Sequence, residues 1–238
     1  MKTKQLIQCL MAFLAFSQLV KAQNVEVIHR AERFPEYEAE TFTFIAPGAD
    51  TSRLQYVATL RATGVGKNVS LEMIYSKLKE KANSLGANAF QLLSFKRMDS
   101  IYKSILVMNM YFVSDSVLNL HRMLQEKNVV YIFGDTEKSD KLQSFKIDDV
   151  KKEIKGGTYY RHQNAQGQEV KINKGGFTGA TVWIKWKENK AATFLTLTGF
   201  GLSDAPVGQM GASIHTGRMN YLDENLGQLL VLLLKPGN

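Results

Sequence analysis

The 238-residue chain holds one cysteine, Cys9, and only four prolines. A single thiol excludes an intrachain disulfide framework and every multi-cysteine metal site. Three signatures of chemistry are also missing: a Gly-x-Ser-x-Gly elbow, a His-Glu-x-x-His pair and a complete phosphate loop. Gly64-Val65-Gly66-Lys67 comes nearest to the last. Arg61 stands where the first glycine is required, and Asn68 where Ser or Thr should follow the lysine. The segment reads as a hairpin or strand-to-helix turn. No apolar run reaches the roughly 20 residues that a membrane-spanning helix needs. What is present is ordinary for a folded protein: 45% hydrophobic and 22% charged residues. That balance excludes a largely disordered or collagen-like chain.

The N-terminus carries an address. Lys2 and Lys4 precede an apolar stretch from Cys9 to Val20, and Lys21-Ala22-Gln23 closes it. A basic, then apolar, then short polar order with a small residue at its end predicts a secretory signal peptide over 1–22, cut after Ala22. The alternative is a buried N-terminal helix. Leu6-Ile7-Gln8-Cys9 is no lipoprotein site, because there the cysteine follows the apolar region and here it precedes it. Cleavage removes the only cysteine, leaving 216 residues, enough to build a core without disulfides. The expected location is periplasmic or extracellular. The Ala-Gln junction and cysteine-free exported chain resemble Gram-negative envelope proteins.

Charge argues against one class of partner. Removing Lys2, Lys4 and Lys21 lowers the formal charge from +8 to +5. Residues 23–50 hold six acids and two arginines, residues 51–125 ten basic and four acidic residues, and 126–238 fifteen basic and twelve acidic. No stretch has the density of a nucleic-acid tail. Nucleic acid is therefore not an expected partner.

Residues 37–46 contain the alternating run Thr41-Phe42-Thr43-Phe44-Ile45, closed by Pro47-Gly48, and 54–63 reads as a second strand. Ser70 is a candidate N-cap. Leu71, Ile74, Tyr75, Leu78, Ala82 and Leu85 recur at spacings of three and four, which predicts a helix stopped by Gly86. Strands follow over 89–95 and 101–113, the latter apolar on both faces and so central to its sheet. A second helix is expected over about 116–126 with Val117, Leu120 and Leu124 inward. Beyond it come short β-like runs: 129–133, 143–147, 158–162, 169–172, 180–186, 193–198, 212–216 and 226–234. Asn164–Gly167 and Lys187–Lys190 read as hairpin turns. The run ending Leu229–Leu234 reads as a strand buried on both faces, with a helix in its last turn or two as the alternative. The expected fold class is α+β: a β-β-α-β-β-α module over 23–125, then an all-β sandwich or barrel-like module over 126–238.

Over residues 53–113, strand, helix, Leu85-Gly86-Ala87-Asn88-Ala89-Phe90 and strand resemble the small extracytoplasmic β-α-β modules of a heavy-metal-binding family and of stress-sensor lipoproteins. The resemblance implies a topology. It does not imply metal binding, because no ligands accompany the motif and the sensors' cysteines are absent. Residues 126–238 resemble no family.

Candidate chemistry is sparse. His29, His121, His162 and His215 are isolated, and no metal site or cofactor is expected. Asp148-Asp149 and Asp223-Glu224 are adjacent, and strand neighbours point to opposite faces, so neither is an acid–base pair. Ser213 and His215 can share a strand face with Asp204 brought in by folding, which is the hydrolase alternative. Gly175-Gly176-Phe177-Thr178-Gly179 reads as a turn. The contact candidates are Trp183 and Lys185. In a strand Val182, Ile184 and Trp186 point inward, and Trp183 shares the outer face with Lys185 and Lys187. An indole beside lysines there can stack on a sugar ring or anchor a protein contact, unless another strand or the N-terminal module covers it. The expected function is a non-catalytic envelope binding or assembly module with a protein or glycan partner.

Overall fold

A computed structural model describes residues 23–32, 41–66, 69–98, 101–136, 141–175, 179–197 and 219–237. The expected signal peptide, the expected strand at 212–216 and the residues Asp204, Ser213 and His215 lie outside these. The fold is α+β. It forms two compact units, Met1–Val113 and Ser114–Asn238.

The first unit has strands β1 (Gln23–Arg30), β2 (Thr43–Phe44), β3 (Gln55–Val65), β4 (Ala89–Met98) and β5 (Lys103–Phe112), with helix α1 (Leu71–Ser84). Sheet order is β1-β3-β5-β4-β2, so β5 is central as its two apolar faces imply. Its Leu106, Met108 and Met110 are fully buried. β1 is an edge strand that the sequence pattern does not announce: Val27 and Ile28 remain exposed, and its register comes from pairing with β3. Ser70 caps α1 by accepting the Met73 N–H at 3.2 Å, and Ile74, Tyr75, Leu78 and Ala82 are buried. Gly64 has a packing reason. A Cβ there would stand 2.6 Å from both Ile74 Cδ1 and Val69 Cγ1.

The corner after α1 is tightly determined. Gly86 takes φ +81°, and Ala87 and Ala89 are fully buried. Asn88 does more than turn the chain. Its Nδ2 donates to the Val113 carbonyl at 2.7 Å, and its Oδ1 accepts the Val113 N–H at 2.8 Å. A buried amide thus imitates a strand's backbone and closes the end of β5.

The second unit contains α2 (Asp115–Leu124), β6 (Val129–Phe133), β7 (Leu142–Ile147), β8 (Val150–Lys155), β9 (Thr158–Gln163), β10 (Glu169–Lys174), β11 (Ala180–Lys185), β12 (Thr193–Thr196), β13 (Asn220–Tyr221), α3 (Glu224–Leu233) and β14 (Lys235–Pro236). Two sheets, β11-β10-β7-β8 and β13-β12-β6-β9-β14, share a core. Val130, Ile132 and Leu195 contribute from one sheet; Phe145, Ile147, Val170, Ile172 and Ile184 from the other. Every residue of β6 is buried. Its reverse face carries Tyr131 and Phe133, which stack near Phe194 at 5.4 and 6.4 Å between ring centroids. α3 seats on that aromatic face. A Cβ on Gly227 would lie 2.2 Å from Phe194 Cγ.

Four expectations need correction. The C-terminal leucine run is helix α3, not a strand, so the second unit is not all-β. Asp223 caps it by accepting the N–H groups of Asn225 and Leu226, both at 3.0 Å. The run is apolar at every position and shows no period, so only capping and packing decide its state. Asn164–Gly167 and Lys187–Lys190 join strands of different sheets and are not hairpin turns. The two-residue hairpin lies at Asp148-Asp149, with φ +48° and +66° and Ile147 paired to Val150. In α2 Leu118 is buried, while Leu120 is 60% exposed. Spacing identifies a helix, but its rotation depends on what it packs against.

Candidate functional site

Alternation along β11 does what the sequence pattern implies. Ile184 is buried and Val182 packs on the core, while Trp183 is 58% exposed. The Nζ of Lys171, on neighbouring β10, lies 5.7 Å from the Trp183 ring centroid. Lys185 is exposed on the same face, but it does not line the cleft beside Trp183. Trp186 is half-buried beyond the strand's end.

That cleft measures about 220 Å³. Trp183, Lys190, Thr193, Phe194, Tyr221 and Glu224 line it, with Ile184, Ala192 and Leu222. The elements bring these together from two stretches of chain, 183–194 and 221–224. β11 supplies Trp183, and β13 supplies Tyr221, itself 55% exposed. The first turn of α3 supplies Glu224.

The turn after β11 delivers Lys190, and Asn128 holds that turn. Its Nδ2 donates to Lys187 O at 2.8 Å, its Oδ1 accepts Lys187 N–H at 3.1 Å, and its backbone N–H donates to Lys190 O at 2.9 Å. Asn128 sits at φ +56°, a conformation that Asn tolerates better than most side chains. Gln163 and Asn164 complete the support: Gln163 donates to Asn128 O at 3.2 Å, and Asn164 to Ile184 O at 2.8 Å.

Electrostatics distinguish Glu224 from an ordinary surface acid. It is half-buried, and among the described residues its carboxylate has no hydrogen-bond or ion-pair partner. Burial raises its pKa above the usual carboxylate value, against the opposing fields of Lys127 and Arg122. Burial lowers the pKa of Lys190, with Lys187 adding to the effect, and raises that of Tyr221. The Lys190 ammonium donates to Lys185 O at 3.2 Å.

Among the described residues, the lining holds one carboxylate, one threonine hydroxyl and no histidine, serine or cysteine. Two rings, one acceptor and one cationic donor suit holding a ligand. Sequence reasoning found Trp183 but missed Lys190, Tyr221 and Glu224. Asp223-Glu224 drew attention only as an acid pair; a capping aspartate followed by an acid in the first helical turn was the overlooked signal.

The other candidates stay apart. His29 lies on β1 with Nδ1 3.1 Å from the Tyr56 hydroxyl, and His162, half-buried on β9, has its pKa lowered by burial. Among the described residues, no three His, Cys, Asp or Glu side chains are grouped to hold a metal. Among the same residues, no helix is long and apolar enough to cross a membrane. A second ionic group joins Arg161 Nη2 to Glu126 Oε1 at 2.7 Å, with the Tyr131 hydroxyl donating to Glu126 Oε2.

No protein-family model, curated protein or solved structure matches this chain.

Proposed function

We propose that the chain is an exported, non-catalytic binding or assembly protein of a bacterial envelope, and that the Trp183–Tyr221 cleft is its contact site. One observation carries this reading: two aromatic side chains 38 positions apart, each more than half exposed, meet at a cleft that also holds a carboxylate unpartnered among the described residues. Large exposed rings are typical anchors of recognition surfaces. The basic–apolar–polar order of residues 1–22 supports export. The resemblance of 53–113 to extracytoplasmic modules agrees with it, and we read the chain as an α+β module followed by a β-sandwich module. The partner is an envelope protein or glycan, with Lys185 at the margin of the contact.

A thermal-shift screen tests the reading. The purified protein and its Trp183→Ala and Tyr221→Ala variants are melted with envelope glycans, peptidoglycan fragments, peptides, lipids, nucleotides and divalent metals. A ligand at about 100 times its Kd stabilises by roughly 2.7 kcal/mol. At about 2–4 °C per kcal/mol, the midpoint moves by several degrees. The expected result is a shift with one chemical class in the parent protein that both variants lose. Shifts retained by both variants, or none with any class, overturn the assignment of the cleft.

A further inference from the structure

We infer that the cleft takes a saccharide bearing a carboxylate, with one six-membered ring seated against Trp183 and Tyr221; this rests on the contact site proposed above. Size comes first. At about 220 Å³ the cleft is smaller than the roughly 300–1,000 Å³ of ordinary small-molecule pockets, so it accommodates one ring of a ligand and leaves the rest outside. Aromatic faces bind the apolar C–H face of a sugar, and they bind cations as well.

Charge separates those two ligands. Lys171 already stands over the Trp183 ring, and Lys190 lines the cleft with Lys187 beside it. Lys127 and Arg122 also act on Glu224. Against these five cationic groups stand Glu224, Asp223 and Asp149, which ion-pairs Lys171 at 3.0 Å, so the balance is still positive and a ligand cation meets a repulsive field. A carboxylate is drawn to Lys190, whose ammonium burial has partly stripped of water.

Glu224 fits the remaining part of a sugar. A half-buried carboxylate without a partner among the described residues has room for donors, and ring hydroxyl groups supply them. The backbone adds two more groups. The Trp186 N–H to Gln168 O bond fixes the alternation of the β10–β11 ladder, in which Trp183 opposes Lys171 at an unbonded pair. The N–H and C=O of Trp183 therefore point away from β10, along the open edge of β11. Rings, acceptor, cation and backbone groups unpaired among the described residues together match the mixed face of an acidic sugar.

The test is an NMR titration of the purified protein with glucuronic acid, glucose and glucosamine, following the Trp183 indole N–H, which is identified by its loss in Trp183→Phe. Glucuronate is expected to move that signal with about tenfold higher affinity than glucose, the gain from one charge-assisted hydrogen bond, and glucosamine to bind most weakly. Lys190→Gln brings glucuronate down to the glucose level. Lys151→Gln, the same charge change at an exposed residue of β8, leaves the preference intact. Equal affinities, tightest binding of glucosamine, or a preference indifferent to Lys190→Gln overturns the acidic-sugar inference and leaves the contact site standing. If no sugar moves the indole while another class in the thermal screen depends on Trp183, the inference again fails alone. A screen flat for every class removes both.

Discussion

Gly227 rests on the ring of Phe194. A Cβ at that glycine would stand 2.2, 2.5 and 2.7 Å from three Phe194 atoms, well inside van der Waals contact. In a solvent-facing helix, Gly→Ala stabilises by about 1 kcal/mol. Here the sign reverses. Gly227→Ala is expected to destabilise by about 1–3 kcal/mol, because the ring is buried against Tyr131 and has nowhere to go. Urea denaturation reads the effect, and Phe194→Leu in the same chain is expected to recover part of it. A neutral Gly227→Ala would mean that α3 does not sit on this face.

Asn88 offers a sharper comparison. Asn88→Ala removes both bonds to Val113 and is expected to cost about 2–3 kcal/mol. Asn88→Asp keeps the shape but places an acceptor against the Val113 carbonyl. It is expected to be worse than alanine at neutral pH and to recover in acid as the carboxyl gains a donor proton. Paired melts at pH 7 and pH 4 check the crossing.

Tyr131 sets an alkaline limit. It is 6% exposed, and burial first, then the hydrogen bond to Glu126, raises its pKa to about 12. The folded state holds this proton more tightly than the unfolded chain, whose tyrosines titrate near 10. The contribution is fully present below pH ~10 and is lost as pH rises toward about 12, on the order of 2 kcal/mol. Stability measured across pH 9 to 12 is expected to fall in the parent protein, with a smaller slope in Tyr131→Phe.

Protons on the open face of the first unit's sheet run in one direction. Thr59 Oγ1 donates to Asn109 Oδ1 at 2.8 Å, so Thr59 must accept from the Tyr56 hydroxyl at 2.7 Å. Tyr56 then accepts from His29 Nδ1 at 3.1 Å. Neutral His29 is therefore expected in its Nδ1–H tautomer, the less common one in free histidine. Nitrogen-15 shifts of the imidazole distinguish the tautomers directly, and Thr59→Val, which breaks the relay, is expected to release the preference.

Several of these features were legible beforehand. The α1 stripe, its Ser70 cap and the Gly86 stop follow from local chemistry, and the structure retains each of them. β6 reads as a continuous apolar run between polar segments, as a strand buried on both faces should. Other features left no such trace. β1 alternates too weakly to be recognised alone, and the Leu229–Leu233 stretch of α3 is uniformly apolar, so strand and helix fit its composition equally well. The site divides along the same line. Trp183 stands out because tryptophan is rare here and β11 alternates, whereas Tyr221 and Glu224 gain meaning only beside it.

By itself the sequence determined whatever depends on neighbours within a few residues: caps, glycine stops, alternation, the α+β class and the outward face of Trp183. Such features arise from backbone geometry and side-chain period, which act over one or two turns. Tertiary structure alone decided which turns cross between sheets, that the leucine run is a helix, and that β11, β13 and α3 meet around one cleft. Those outcomes rest on packing between distant segments, Gly227 on Phe194 and Asn128 on Lys187, where a single missing Cβ or a single amide selects the arrangement.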